Sequence, residues 1–236
     1  IAEATNTKLP FSGTFHSLCA KILRREGEHI GLNPNFVIYD TQDQASLFKT
    51  IYSEKGFSPE DFPIKAVQAA ISTAKNELLS PQAYSDIARG SFQKQVALIY
   101  AAYQQALAKA SSVAFDDLLL KTLQLFRTHP SILEKYQTLF EHVLVDEYQD
   151  TNKAQYALTT ALAKPHNNLF VVGDFCQSIY AWRGADYKNM MQLKQQFPDL
   201  TEYQLEQNYR SHQNILDAAT QVISQTTLHP ILKLWT

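Results

Sequence analysis

Apolar positions along this chain keep two different rhythms. Phe15, Leu18, Cys19, Ile22 and Leu23 recur at helical spacing across residues 14–28, with Lys21, Arg24 and Arg25 on other faces, which predicts a helix with a basic end. From about Asn35 to Ser112 the pattern stays almost wholly helical. Thr41 and Asp43 offer caps before a run to Tyr52, Pro63 opens Ile64 to Glu77, and Ser91 to Ala110 makes a long helix rich in Ala and Gln. Turn signals at Gly56-Phe-Ser-Pro59 and Ser80-Pro81 separate these segments. After Tyr136 the period shortens, and strands are expected near 142–146, 168–172 and 202–205 with helical segments of βαβ length between them. The pattern therefore describes an α/β part interrupted by an all-helical insertion, without internal repeats or low-complexity linkers.

With 236 residues, 45% of them hydrophobic, the chain can bury one large core or two small ones. A formal net charge of −2 gives no global basic signature, so any nucleic-acid contact must come from local patches and stacking surfaces. The two cysteines, Cys19 and Cys176, are far apart and lack metal-ligand spacing; both read as small buried residues suited to a reducing cytosol. No apolar run approaches the roughly 18 to 20 residues a membrane span needs, and no signal-peptide pattern opens the chain. The start at Ile1, without Met, reads as the middle of something longer.

Chemistry concentrates in three stretches. The run Val143-Leu-Val145 reads as a buried parallel strand that stops at Asp146 and Glu147, and acids at the carboxyl edge of an α/β sheet lie where ligands bind. A hard divalent ion on nucleotide phosphates takes one or two carboxylates plus water, and hydrolysis needs a base to orient the attacking water. Gly173-Asp174 ends a second strand in the same way, and Gln177 follows; its amide could bond a terminal phosphate or the attacking water, although alone it reads as an ordinary helix-start residue. Tyr180 and Trp182 alternate beside Arg183. Such aromatics can stack unpaired bases while the guanidinium forks onto phosphate, but Trp182 taken alone reads as core. Tyr209-Arg210 precedes Ser211, a good N-cap, which would set an aromatic face beside a cation. The acids of Phe115-Asp-Asp-Leu-Leu119 read as helix caps.

Taken jointly, these stretches resemble the superfamily 1A DNA helicases of the UvrD, PcrA and Rep type. The matching motifs are Thr14-Phe-His-Ser-Leu-Cys19, Phe115-Asp-Asp-Leu-Leu119, the Asp-Glu-Tyr-Gln-Asp-Thr-Asn run ending at Asn152, Gln177-Ser-Ile-Tyr-Ala-Trp-Arg-Gly-Ala185 and Asn208-Tyr-Arg-Ser211, in order along almost the whole chain. The resemblance implies an incomplete RecA-like parallel sheet of the P-loop NTPase type with an inserted all-helical subdomain. Residues 1–28 and 113–236 would form motor domain 1A, and 29–112 the insertion, domain 1B. It implies ATP and Mg²⁺ as cofactors, single-stranded and duplex DNA as partners, and a bacterial cytoplasmic setting at the nucleoid among repair or replication proteins. Carried over by position, Asp146 would ligate Mg²⁺ and Glu147 activate water. Gln177 and Arg210 would contact the γ-phosphate, Arg183 would link that phosphate to DNA, and Tyr209 would stack on adenine. Tyr180 and Trp182 would meet the single strand, with Thr14 and His16 near it.

Two departures stand out. Phe175 and Cys176 occupy positions where many relatives carry acids, and none of the seven glycines is followed by Lys, so the Gly-x4-Gly-Lys-Ser/Thr phosphate loop does not occur. The expectation is an internal fragment of an ATP-dependent 3′-to-5′ DNA helicase, inactive by itself and prone to self-association through an open sheet edge. The alternative is a DNA-binding or protein-interaction module that never had the loop; a helicase-nuclease subunit would need a nuclease motif, which the chain does not contain.

Overall fold

A computed structural model describes residues 9–226 and 230–236, apart from the Arg183 side chain. The fold is mixed α/β, mostly helical, with two small parallel sheets. It divides into two compact units, Ile1–Val143 with Asn152–Asn168, and Leu144–Thr151 with Leu169–Thr236.

The first unit begins with α1 (Phe15–Glu26), capped where Thr14 Oγ1 accepts the Ser17 N–H at 3.2 Å and closed by Arg24 and Arg25, cations suited to a helix C-terminus. Its apolar stripe, Cys19, Ile22 and Leu23, packs with Leu118, Leu119 and Leu125 of α6 (Asp117–Thr128) and Leu158 and Leu162 of α8 (Lys153–Ala163). Each such side chain contributes about 1.5–3 kcal/mol on full burial. A second cluster joins Phe48, Ile51 and Tyr52 of α2 (Thr41–Lys55), Val67 and Ile71 of α3 (Ile64–Asn76), and Val96, Ile99, Tyr100 and Tyr103 of α5 (Gly90–Lys109). Between α3 and α5 lies the short α4 (Pro81–Ile87); α7 (Pro130–Leu139) follows α6. Helix α2 starts one residue earlier than its sequence suggests: Asp40 is the cap, and Asp43 completes a capping box by accepting the Asp40 N–H at 3.1 Å.

Two expectations change in this unit. The stretch 35–112 is bracketed by strands rather than wholly helical, because β1 (Val37–Tyr39) pairs in parallel with β2 (Ser112–Ala114), Val37 facing Ser112 and Tyr39 facing Ala114. Three residues are too few for a period to register, and the pairing is contributed by the far end of the segment. The acids at 116 and 117 do not cap α6. Asp116 accepts the Ser72 hydroxyl at 2.7 Å, while Asp117 is buried with Lys75 at 2.7 Å and also accepts Gln104 Nε2 and the Ala114 N–H.

The second unit is organised around β3 (Val143–Val145), whose first residue closes the other unit, and β4 (Leu169–Val171). The Val172 N–H donates to the Val145 carbonyl and the Tyr148 N–H to the Val172 carbonyl, each at 2.9 Å, in the stepped pattern of parallel strands. Leu144 is 59% exposed, so β3 is not the strand buried on both faces that its apolar run suggests; a sheet of two strands leaves alternate side chains uncovered. Helices α9 (Lys188–Gln196) and α10 (Gln213–Ile223) complete the unit. The strand expected at 202–205 does not form: Tyr203 and Leu205 are exposed, and the nearest pairing is a single bridge between Gln207 and Trp235. Alternation of apolar residues specifies a strand only where a neighbour supplies the ladder.

Candidate nucleotide and nucleic-acid site

At the end of β3, the Asp146 carboxylate accepts the Glu147 N–H at 3.0 Å, and both acids are exposed. Glu147 itself has a left-handed backbone, φ 51° and ψ 43°. A residue with a side chain pays of order 1–3 kcal/mol there, and such conformations persist where the surroundings hold them. The next turn supplies that hold. Tyr148 is buried and anchored to Val172, and Gln149, only 1% exposed, reaches both strand ends at once. Gln149 Nε2 donates to Glu147 Oε2 at 2.8 Å and to Asp150 Oδ2 at 3.3 Å, while its Oε1 accepts the Asp174 N–H at 3.1 Å. Burial, and secondarily the Glu147 charge, raises the Asp150 carboxyl above its ordinary pKa.

Asp174 extends this path. One carboxylate oxygen accepts the Cys176 N–H and the other accepts Gln177 Nε2, each at 2.9 Å. A hydrogen-bonded sequence thus runs from Glu147 through Gln149 and Asp174 to Gln177, joining two of the sequence-derived site residues. Gly173 makes room for it: a Cβ there would lie 2.8 Å from Gln149 Oε1 and 3.0 Å from Met190 Sδ. Phe175 packs edge-on against Tyr187, and Cys176 is half-buried rather than buried, its thiol pushed up first by burial and then by the Asp174 carboxylate.

Tyr209 and Arg210 stand exposed on a separate turn of the same unit. Asn208 Oδ1 accepts the N–H groups of Arg210 at 2.9 Å and Ser211 at 2.8 Å, a side-chain turn that sets the Tyr-Arg pair ahead of α10. Ser211 is consequently not the cap; His212 holds that position without a side-chain bond. That the single Asn208 Oδ1 serves two backbone donors emerges only with the backbone folded. The Tyr209 hydroxyl donates to Gln207 Oε1 at 2.8 Å, and the ring is exposed.

Trp182 is 73% exposed, against the core position suggested by residue type alone, and lies 6.4 Å from the Tyr180 ring, centroid to centroid. Bases stack on such rings with about 1–3 kcal/mol each. The Arg183 side chain lies outside the described residues. Thr14 and His16 belong to the other compact unit, where Thr14 is occupied as a helix cap. His16 stacks on Phe115 at 3.8 Å, and burial lowers its pKa against the opposing pull of Asp116.

Among the described residues no group of three or more His, Cys, Asp or Glu could hold a metal by itself. A lone exposed carboxylate at a strand end suits Mg²⁺, which keeps several waters and takes phosphate oxygens, and does not suit an all-protein calcium cage. Asp146 has that placement.

Residues 2–198 match the family described as UvrD/REP helicase N-terminal domain. The chain is 47% identical over 223 residues to the ATP-dependent DNA helicase PcrA of Bacillus subtilis (strain 168), covering 94% of this chain and 30% of that protein. The PcrA of Leuconostoc citreum is 46% identical with the same coverage, and that of Staphylococcus epidermidis 44% identical, with 31% of the relative covered. The chain therefore spans about 30% of the length of the curated relatives it matches.

Proposed function

Since this chain belongs to the UvrD/REP helicase N-terminal domain family, we propose that it is a segment of a longer ATP-dependent DNA helicase that moves 3′-to-5′ along single-stranded DNA. The observation that carries the catalytic part is the hydrogen-bonded path Glu147–Gln149–Asp174–Gln177 beside the exposed carboxylate of Asp146. In this reading residues 1–28 and 113–236 belong to a RecA-like motor domain, and 29–112 to its helical insertion.

Bound Mg²⁺ would neutralise charge on the nucleotide phosphates, held on the protein side by Asp146. Glu147 accepts the proton of the attacking water. Gln177, on a carboxylate-anchored amide, bonds the terminal phosphate or that water, and Arg210 meets the same phosphate from the Asn208 turn. Tyr209 offers its ring to adenine. Tyr180 and Trp182 stack on single-stranded bases, with Arg183 linking the phosphate to them; for Thr14 and His16 a role near the single strand rests on the family resemblance alone.

Because no Gly-Lys-Ser/Thr phosphate loop occurs in the chain, it should bind ATP weakly and hydrolyse none above background alone. DNA-stimulated turnover of even about 1 per second by this chain would overturn that part of the reading. In the complete helicase, Glu147→Gln should preserve nucleotide binding and slow hydrolysis about 10²- to 10⁴-fold, the usual cost of a lost base. A second reading is a DNA-binding or interaction module without catalysis. A Gly-rich loop ending in Lys-Ser or Lys-Thr upstream of Ile1 in the parent would exclude it.

A further inference from the structure

We propose that Gln149 is a positioning residue for hydrolysis, aiming the Glu147 carboxylate and locking it to the Asp174–Gln177 turn. The inference rests on the reading of Glu147 as the base. Three observations carry it. First, the amide uses its opposite ends on opposite sides of the site: Nε2 donates to Glu147 and Asp150, and Oε1 accepts the Asp174 N–H. Only this orientation works, since the reversed amide would point an N–H at an N–H and an oxygen at two carboxylates. Second, the side chain is 1% exposed, so no water replaces these bonds cheaply. Third, Glu147 sits on a left-handed backbone and extends into solvent. An exposed Glu samples several rotamers; a buried donor at 2.8 Å selects one.

The position also couples two signals. Gln149 contacts the carboxylate after β3 and the backbone after β4, and Asp174 in turn holds Gln177. A shift of Gln177 toward a phosphate is therefore transmitted through Asp174 and Gln149 to the orientation of Glu147. Gly173 protects this link, because any Cβ would press on Gln149 Oε1.

The test uses the complete helicase carrying this segment, with ATP and a single-stranded oligonucleotide. Gln149→Met fills the space without hydrogen bonds. We expect kcat to fall about 10- to 100-fold, as for other residues that orient a reacting group, with KM for ATP within about twofold. Glu147→Gln alone should be severely slowed, and Gln149→Met added to it should cost nothing further, because the positioned group is already gone. Additive losses, a wild-type kcat in Gln149→Met, or a KM that rises as kcat falls would each overturn the proposal. If Gln149→Met fails to fold, judged by melting, Gln149→Glu takes its place under the same criteria: it keeps an acceptor for Asp174 and replaces the donor with a third carboxylate. Near-normal turnover in Glu147→Gln would instead remove the base itself, whereas an inactive Glu147→Gln beside a normal Gln149→Met sinks only the positioning role.

Discussion

Lys75 of α3 and Asp117 at the start of α6 meet at 2.7 Å with side chains 2% and 1% exposed. The ammonium also lies 4.9 Å from the centre of the Tyr103 ring, and Asp117 accepts two further hydrogen bonds, from Gln104 and Ala114. Two charges removed from water are tolerated because Asp117 has three partners and the ammonium has a counter-ion and an aromatic face. The pair pins the second apolar cluster to the helix that helps build the first.

Removing one partner should therefore be far worse than removing both charges. We expect Lys75→Met to lower unfolding free energy by about 3–5 kcal/mol, since it leaves a buried carboxylate without its counter-ion. The double variant Lys75→Met with Asp117→Asn should recover part of that loss. Urea denaturation of the chain measures both, and equal losses in the two would show that the ion pair is not the source.

The His16 stack gives a pH dependence of definite sign. Burial depresses the imidazole pKa below its ordinary 6.5, so the unfolded chain binds the proton more readily than the folded one. The contribution is present above pH 6.5 and is lost as the pH falls from there through the folded-state value. Comparing melting temperatures of the wild type and His16→Gln between pH 7.5 and 5 isolates it: the wild-type advantage should shrink on acidification. A gap that widens would mean that the Asp116 attraction dominates.

Trp182 separates surface from core. With 73% of its surface open, Trp182→Ala should change stability by only about 0.5 kcal/mol, as for most surface positions. In the complete helicase the same change should weaken single-strand binding by about 1–3 kcal/mol and uncouple ATP hydrolysis from DNA. Melting and affinity measured on one preparation decide the matter; unchanged affinity would leave this exposed ring without a DNA role.

The strand ends that carry the candidate site were legible in the residues themselves. A short apolar, Val-containing run ending in Asp146-Glu147, and another ending in Gly173-Asp174, mark strand ends because strand propensity and the polar stop are local properties. The first helix was equally legible, since an apolar stripe every three to four residues needs no distant partner, whereas its Thr14 cap was not read in the sequence. Pairings across the chain were not. Gln149 reads as an ordinary polar residue until folding brings Asp174 to it, and Asp117 reads as a cap until Lys75 arrives from another helix. The same limit explains the strands flanking the helical segment, which are too short for a period, and the stretch 202–205, which has the alternation of a strand but no ladder. Periodicity and capping are written along the backbone over a few residues. Burial and hydrogen-bond partners depend on which segments meet, and only the tertiary structure decided that.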